Sequence, residues 1–300
     1  MKKKVIFLMG PTAVGKTETA VCLAKKINAE IINCDSMQGY KEMDISTSMP
    51  AKFLREEIPH HLFDFISPAC AYNAHRFLTA ARKKIKEIIA NGKTPLFTGG
   101  SGLYMKAVID GFFEGEKPDL ALRRSLGKLS SVELFVRLKE TDPVSAKEIH
   151  PNNKKRIIRA LEVYYKDKKP ISVLKKTAVS IENDYDIKIF VLNIQRAVLY
   201  ERINKRVDEM FAKGLLAEVE KLAAKRLSKT ARNALGVKQL LEYVKGGLSL
   251  DAVKILIKRD TRRYAKRQLT WFRAEKRAEC IEVSPEEKPQ NIAEKIIRKL

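Results

Sequence analysis

A chain of 300 residues with 45% hydrophobic content can bury the core of a large domain, which excludes intrinsic disorder. No apolar run approaches membrane-spanning length, and Val5–Met9 behind Lys2-Lys3-Lys4 is too short for a secretory leader, so a soluble cytoplasmic protein with no membrane contact is expected. The net charge of +23 divides as +6 over residues 1–150 and +17 over residues 151–300, which points to a polyanionic partner; a lysine-rich surface serving solubility is the competing reading.

In chain order, the apolar run Lys4–Met9 predicts a first strand. It leads into Gly10-Pro11-Thr12-Ala13-Val14-Gly15-Lys16-Thr17, a glycine-rich loop of the G-x4-G-K-T phosphate-binding pattern. Residues Thr17–Ile27 follow with Ala20, Leu23, Ala24 and Ile27 at helical spacing. Further strands are expected at Glu30–Cys34, Thr94–Thr98, Lys188–Ile194 and Glu279–Val283, with a helix at Asn73–Asn91. Between the third and fourth strands, Asp119–Leu129, Val132–Glu140, Pro143–Ile149, Asn152–Tyr165 and Ile171–Lys176 read as successive short helices, and Ala197–Phe272 is a second helical stretch. Strands alternating with helices predict an α/β fold: a P-loop NTPase-like parallel sheet with crossover helices. The surplus chain predicts a helical insertion domain, 115–187, on a catalytic core of 1–114 and 188–300. Cys22, Cys34, Cys70 and Cys280 are widely spaced with no C-x-x-C pair, so neither a disulfide framework nor a zinc site is indicated.

The loop chemistry is specific. Glycines let backbone N–H groups turn inward toward phosphate oxygens, Lys16 adds a mobile positive charge, and Thr17 offers a hydroxyl to Mg²⁺. Only the second strand ends in a carboxylate, Asp35; Thr94–Thr98 runs into Gly99-Gly100-Ser101-Gly102, and Lys188–Ile194 into Gln195. The strand ends beside a phosphate loop form the ligand crevice of an open α/β sheet, so Asp35 and Ser101 are expected to face bound phosphates. Metal ligand, general base and helix N-cap are all chemically open to Asp35.

Ordered motifs along nearly the whole chain carry a family resemblance. Gly10–Thr17 is followed by Asp35-Ser36-Met37-Gln38-Gly39-Tyr40, Met43-Asp44-Ile45-Ser46-Thr47, Pro59-His60-His61-Leu62 and Gly99-Gly100-Ser101-Gly102-Leu103-Tyr104. Then come His150-Pro151-Asn152-Asn153, Arg156, Arg159-Ala160-Leu161-Glu162-Val163 and Tyr264-Ala265-Lys266-Arg267-Gln268-Leu269-Thr270-Trp271-Phe272-Arg273. Together they resemble the tRNA dimethylallyltransferases, or tRNA isopentenyltransferases, of bacterial type.

The resemblance implies transfer of a dimethylallyl group from dimethylallyl diphosphate to N6 of adenosine 37, beside the anticodon, with release of diphosphate. Residues Gly10–Thr17 would then hold a leaving group, with Mg²⁺ at Thr17, and no ATP need be split. Asp35 matches the general base, Ser101 stands where threonine is usual, and Arg206 matches the arginine placed on the diphosphate. For the tRNA anticodon stem-loop the resemblance implies contacts from Asp35, Ser36, Met37, Gln38, Ser101 and Arg123. It extends them to Lys155, Arg156, Ile157, Ile158 and Arg159, to Asn233, Gly236 and Lys238, and to Lys266, Arg267, Gln268 and Arg273. A solvated helix face is the competing reading for the last, long basic helix. Departures from the family pattern are Gly39 for valine, Ser46, Ser48 and Met49 in a stretch that is normally glycine, alanine and lysine, and Val237 for tyrosine. A monomer suffices for all of this. A small-molecule P-loop kinase and a nucleotide-gated RNA-binding protein are the alternative readings.

Overall fold

The computed structural model describes residues 2–113 and 118–300. Six strands form one sheet in the order β3-β2-β4-β1-β5-β6: β1 Lys3–Met9, β2 Ala29–Asn33, β3 His60–His61, β4 Thr94–Gly99, β5 Tyr185–Asn193 and β6 Ala278–Glu282. Every pairing is parallel. Val5 to Met9 are all buried, because helices cover both faces and the apolar and polar alternation of a one-sided sheet disappears. Phe7 and Phe97 stack across β1 and β4 with ring centroids 4.5 Å apart.

Five strands lie where sequence expects them, and the sixth, β3, is an addition. Its two residues pair with Ile31 and Ile32, a length too short to show any period. Strand β5 also starts earlier than Lys188, at Tyr185. Tyr185 and Asp186 pair with Lys3 and Lys4, and this polar beginning lacks the apolar signal that marks the rest of the strand.

Register decides where the loops emerge. Met9 at the end of β1 pairs with Gly99 and Val191, and Asn33 at the end of β2 pairs with Thr98. The segments after β1, β2 and β4 therefore leave the same edge of the sheet side by side, which is the ligand edge of a parallel α/β fold.

The chain divides into two compact units, Met1–Ile109 with Glu182–Leu300, and Asp110–Ile181. The sequence-derived boundary at 114/115 falls outside the described residues, and that at 187/188 falls within β5. The second unit consists of short helices, among them Leu120–Lys128, Ser131–Thr141 and Lys154–Asp167, around a core of its own that includes Leu126, Leu134, Leu138, Ile157 and Leu161. At its centre Glu162, fully buried, accepts two hydrogen bonds from Arg123 at 2.8 Å each, one from Arg159 at 2.6 Å and one from Asp119 N–H at 2.8 Å. Burial alone would raise this carboxyl, but the bonds from Arg123 and Arg159 outweigh it and hold it below the usual range.

Candidate active site

The loop after β1 wraps the N-terminus of helix Lys16–Lys26, with Gly15 at φ 99°, a left-handed conformation that side chains other than glycine resist. Lys16 Nζ folds back and donates to Pro11 C=O at 2.6 Å. The loop is held from the opposite side by Gln268 on the long helix Leu250–Arg273. Gln268 Oε1 accepts Thr12 N–H at 3.0 Å, and its Nε2 donates to Gly100 C=O at 2.9 Å, so one buried amide ties the phosphate loop to the segment after β4.

That segment has to be glycine-rich. A Cβ on Gly99 would lie 2.1 Å from Cys34 C=O, and one on Gly102 would lie 2.2 Å from the Trp271 ring. The close approach brings Ser101 beside the end of β2. Ser101 N–H donates to Cys34 C=O at 3.1 Å, and Ser101 Oγ accepts Ser36 N–H at 3.1 Å. Asp35 is fixed by its own turn: its N–H donates to Asn33 Oδ1 at 2.7 Å, and its Oδ1 accepts Met37 N–H at 2.8 Å. This local Asx geometry leaves the carboxylate at the sheet edge without burying it.

A cavity of about 720 Å³ opens at this edge, a size suited to a small ligand. Thr12, Gly15, Lys16, Thr17, Asp35, Gln38, Gly99, Gly100, Arg206 and Gln268 line it. Lys16 and Arg206 are both half-buried, and among the described residues neither makes an ion pair with a carboxylate. Loss of solvent and, next, the positive charge of Arg206 push Lys16 down to about 7, against the smaller opposing pull of Asp35 and Glu18. Two cations without an ion-pair partner face one cavity, which can therefore receive an anion, although Glu18, Asp44 and Glu209 line it as well. The carboxylate of Asp35 shares it, so the cavity can hold a polyanion and place a proton acceptor beside it.

Residues 38–275 match the IPP transferase family, and residues 3–57 match the isopentenyl transferase family. The chain belongs to the IPP transferase family. It is 45% identical to a tRNA dimethylallyltransferase of Carboxydothermus hydrogenoformans, covering 99% of this chain and 97% of the relative. A tRNA isopentenylpyrophosphate transferase of Bacillus halodurans superposes with a TM-score of 0.73 at 36% identity, over 100% of this chain and 97% of that one. A eukaryotic dimethylallyltransferase acting on tRNA superposes at 0.80 with 29% identity, over 93% of this chain and 74% of that one. This membership gives no support to the kinase or nucleotide-gated readings.

Against the family pattern, the departure at Gly39 has a steric reason: a Cβ there would come within 2.9 Å of Ile66 Cδ1 and 3.3 Å of Phe65 Cε1, so those side chains fill the room a valine needs. Val237, at the start of a helix, is fully buried. Beyond Asp35 and Gln38 in the cavity lining, the residues expected at RNA divide into three kinds. Lys155, Arg156, Asn233, Lys238, Lys266, Arg267 and Arg273 are exposed. Ile157 and Gly236 are buried and Ile158 half-buried, while Arg123, Arg159 and Gln268 direct their polar groups to bonds within the protein. Ser36, Met37 and Ser101 flank the cavity without lining it.

Sequence reasoning missed several lining residues. Arg202, Lys205, Glu209, Met210 and Lys213 come from the same helix as Arg206, Arg196–Ala212, and the residue after it. Arg202, Glu209 and Met210 lie three or four residues from Arg206 and Lys213 lies seven, so helical spacing could have found those four, whereas Lys205, its immediate neighbour, carries no such signal. His60 also lines the cavity, and burial lowers its pKa, which keeps it neutral near pH 7; His61 beside it turns away to Glu30 at 2.6 Å.

Proposed function

We propose that this chain transfers the dimethylallyl group of dimethylallyl diphosphate to N6 of adenosine 37 in tRNAs reading codons that begin with U, giving N6-(dimethylallyl)adenosine and diphosphate. The observation that carries the reading is the pair of cations without an ion-pair partner, Lys16 and Arg206, beside Asp35 in one cavity at the sheet edge.

In the reaction the N6 lone pair forms a bond to the terminal allylic carbon as the bond from that carbon to the diphosphate oxygen breaks. Negative charge builds on the departing diphosphate, where the loop N–H groups, Lys16 and Arg206 stabilise it. Asp35 accepts the N6 proton as the C–N bond forms, which matters because the amine lone pair is delocalised into the ring and the nitrogen is a weak nucleophile that would otherwise gather positive charge. Gln38 Nε2 donates to Thr47 and Ser48 C=O, so its carbonyl oxygen is the group it can present to an adenine edge. Among the described residues no three His, Cys, Asp or Glu side chains cluster as a metal site. Thr17 lines the cavity next to Lys16, and its hydroxyl would hold Mg²⁺ together with diphosphate oxygens and water, where the ion would neutralise phosphate charge.

The target base must leave the anticodon loop to enter the cavity, at a cost of a few kcal/mol that a loop base keeps small. The exposed cations Lys155, Arg156, Lys238, Lys266, Arg267 and Arg273 supply phosphate contacts that offset it. Among the described residues no helix is long and apolar enough to cross a membrane. A tRNA substrate places the enzyme in the cytoplasm, and one chain carries all the residues this reading uses, so a monomer suffices. Incubating the protein with Mg²⁺, dimethylallyl diphosphate and an unmodified tRNA carrying three adenosines at 36–38 should yield allylated adenosine, detected by mass spectrometry of nucleosides. Its absence overturns the reading.

A further inference from the structure

The polar wall of the cavity depends on a short stretch of chain, residues 43–49. Arg206 Nε donates to Ser48 Oγ at 2.9 Å, and Gln38 Nε2 donates to Thr47 and Ser48 C=O at 3.2 and 2.9 Å. The two terminal nitrogens of Arg206 make no hydrogen bond to protein among the described residues. The tether on Nε therefore sets the direction of a fork whose open end suits a phosphate.

The stretch that carries Ser48 is a single helical turn, Asp44–Thr47, and its N-cap residue Met43 supplies no side-chain acceptor. So short a turn does not support itself, because fixing its dihedral angles costs more than its few internal bonds return. A carboxylate far along the chain holds it. Glu218, on helix Leu215–Ala223, accepts Ile45 N–H through Oε2 at 2.7 Å and Ser46 N–H through Oε1 at 2.9 Å. Both oxygens of one charged group thus satisfy two of the turn's orphan donors with charge-assisted bonds. An ion pair between Lys225 and Glu42 anchors the preceding residues to the same region.

We propose that Glu218 is a positioning residue for the diphosphate site: by pinning the turn Asp44–Thr47 it fixes Ser48 Oγ against Arg206 and aims the guanidinium into the cavity. This rests on the reading of Lys16 and Arg206 as diphosphate ligands. Glu218 itself is not among the residues that line the cavity, so its effect passes through Ser48.

Titration calorimetry with inorganic diphosphate on the full chain tests it, with thermal unfolding of each variant recorded alongside. Lys16→Ala should abolish binding; if it does not, the diphosphate reading fails and this proposal with it. Glu218→Ala should weaken binding about tenfold, and Glu218→Gln, which keeps one acceptor oxygen, by less. Ser48→Ala should weaken binding by a similar factor, and adding Glu218→Ala to it should cost little more, since the tether is already gone. Glu218→Ala lowers the unfolding temperature in either case; a merely structural role would leave the affinity of the folded protein unchanged or change it by a factor that multiplies with that of Ser48→Ala. Binding unchanged in Glu218→Ala while lost in Lys16→Ala, or independent effects that multiply to about a hundredfold, would overturn the proposal. If Glu218→Ala does not fold, the cycle between Glu218→Gln and Ser48→Ala gives the same decision.

Discussion

Diphosphate binding should weaken as pH rises through neutrality, and Lys16 should be the reason. In the free site its ammonium sits at about 7, lowered by loss of solvent and by the charge of Arg206. A bound polyanion reverses the repulsion and raises the group back toward its ordinary value, so a proton is taken up on binding wherever the pH lies between the two. The sign follows: affinity is flat below about pH 7 and falls about tenfold per unit above it, until the higher pKa of the complex is reached. Between about pH 6 and pH 8 the expected loss is about tenfold, or ~1.4 kcal/mol. Calorimetry in two buffers of different ionisation enthalpy should find roughly 0.75 proton taken up by this group at about pH 7.5. Diphosphate has titrations of its own, and Lys16→Arg separates them, because a guanidinium stays charged throughout. Equal pH slopes for the two proteins would refute the assignment to Lys16.

Asp35→Asn keeps an oxygen for Met37 N–H, so the turn and diphosphate binding should survive while single-turnover transfer to tRNA falls by about 10²–10⁴-fold; unchanged turnover would remove Asp35 from the role of base. Gln268→Leu leaves Thr12 N–H and Gly100 C=O without their partner, and should cost ~1–3 kcal/mol for each group in urea unfolding as well as weaken diphosphate binding. Glu162→Gln removes the counter-charge of two arginines that are each about a third exposed and keeps one acceptor oxygen, so it should destabilise the helical unit by about 1–3 kcal/mol in the same assay. Lys155→Ala and Arg156→Ala should leave stability unchanged, weaken tRNA binding, and each reduce the slope of log affinity against log salt by about 1.

Sequence by itself determined the features whose signal is local. A strand covered on both faces is a short unbroken apolar run, as in Val5–Met9, and an amphipathic helix repeats its buried residues every three or four positions, as Phe77, Leu78, Ala81, Ile85 and Ile88 do. The phosphate loop and the carboxylate ending the second strand are equally local, which is why Lys16, Thr17 and Asp35 were legible before any fold was known. Partnerships across the chain were not. Gln268 meets Thr12 at a separation of 256 residues, and Glu218 meets Ile45 at 173. Strand order and helix packing create those bonds, and no pattern within either segment encodes them. The same cause separates like residues in one motif: Arg156 is exposed while Arg159, three residues on, turns inward to Glu162. Composition counts both as positive charge, and only the tertiary structure decides which of them is already paired.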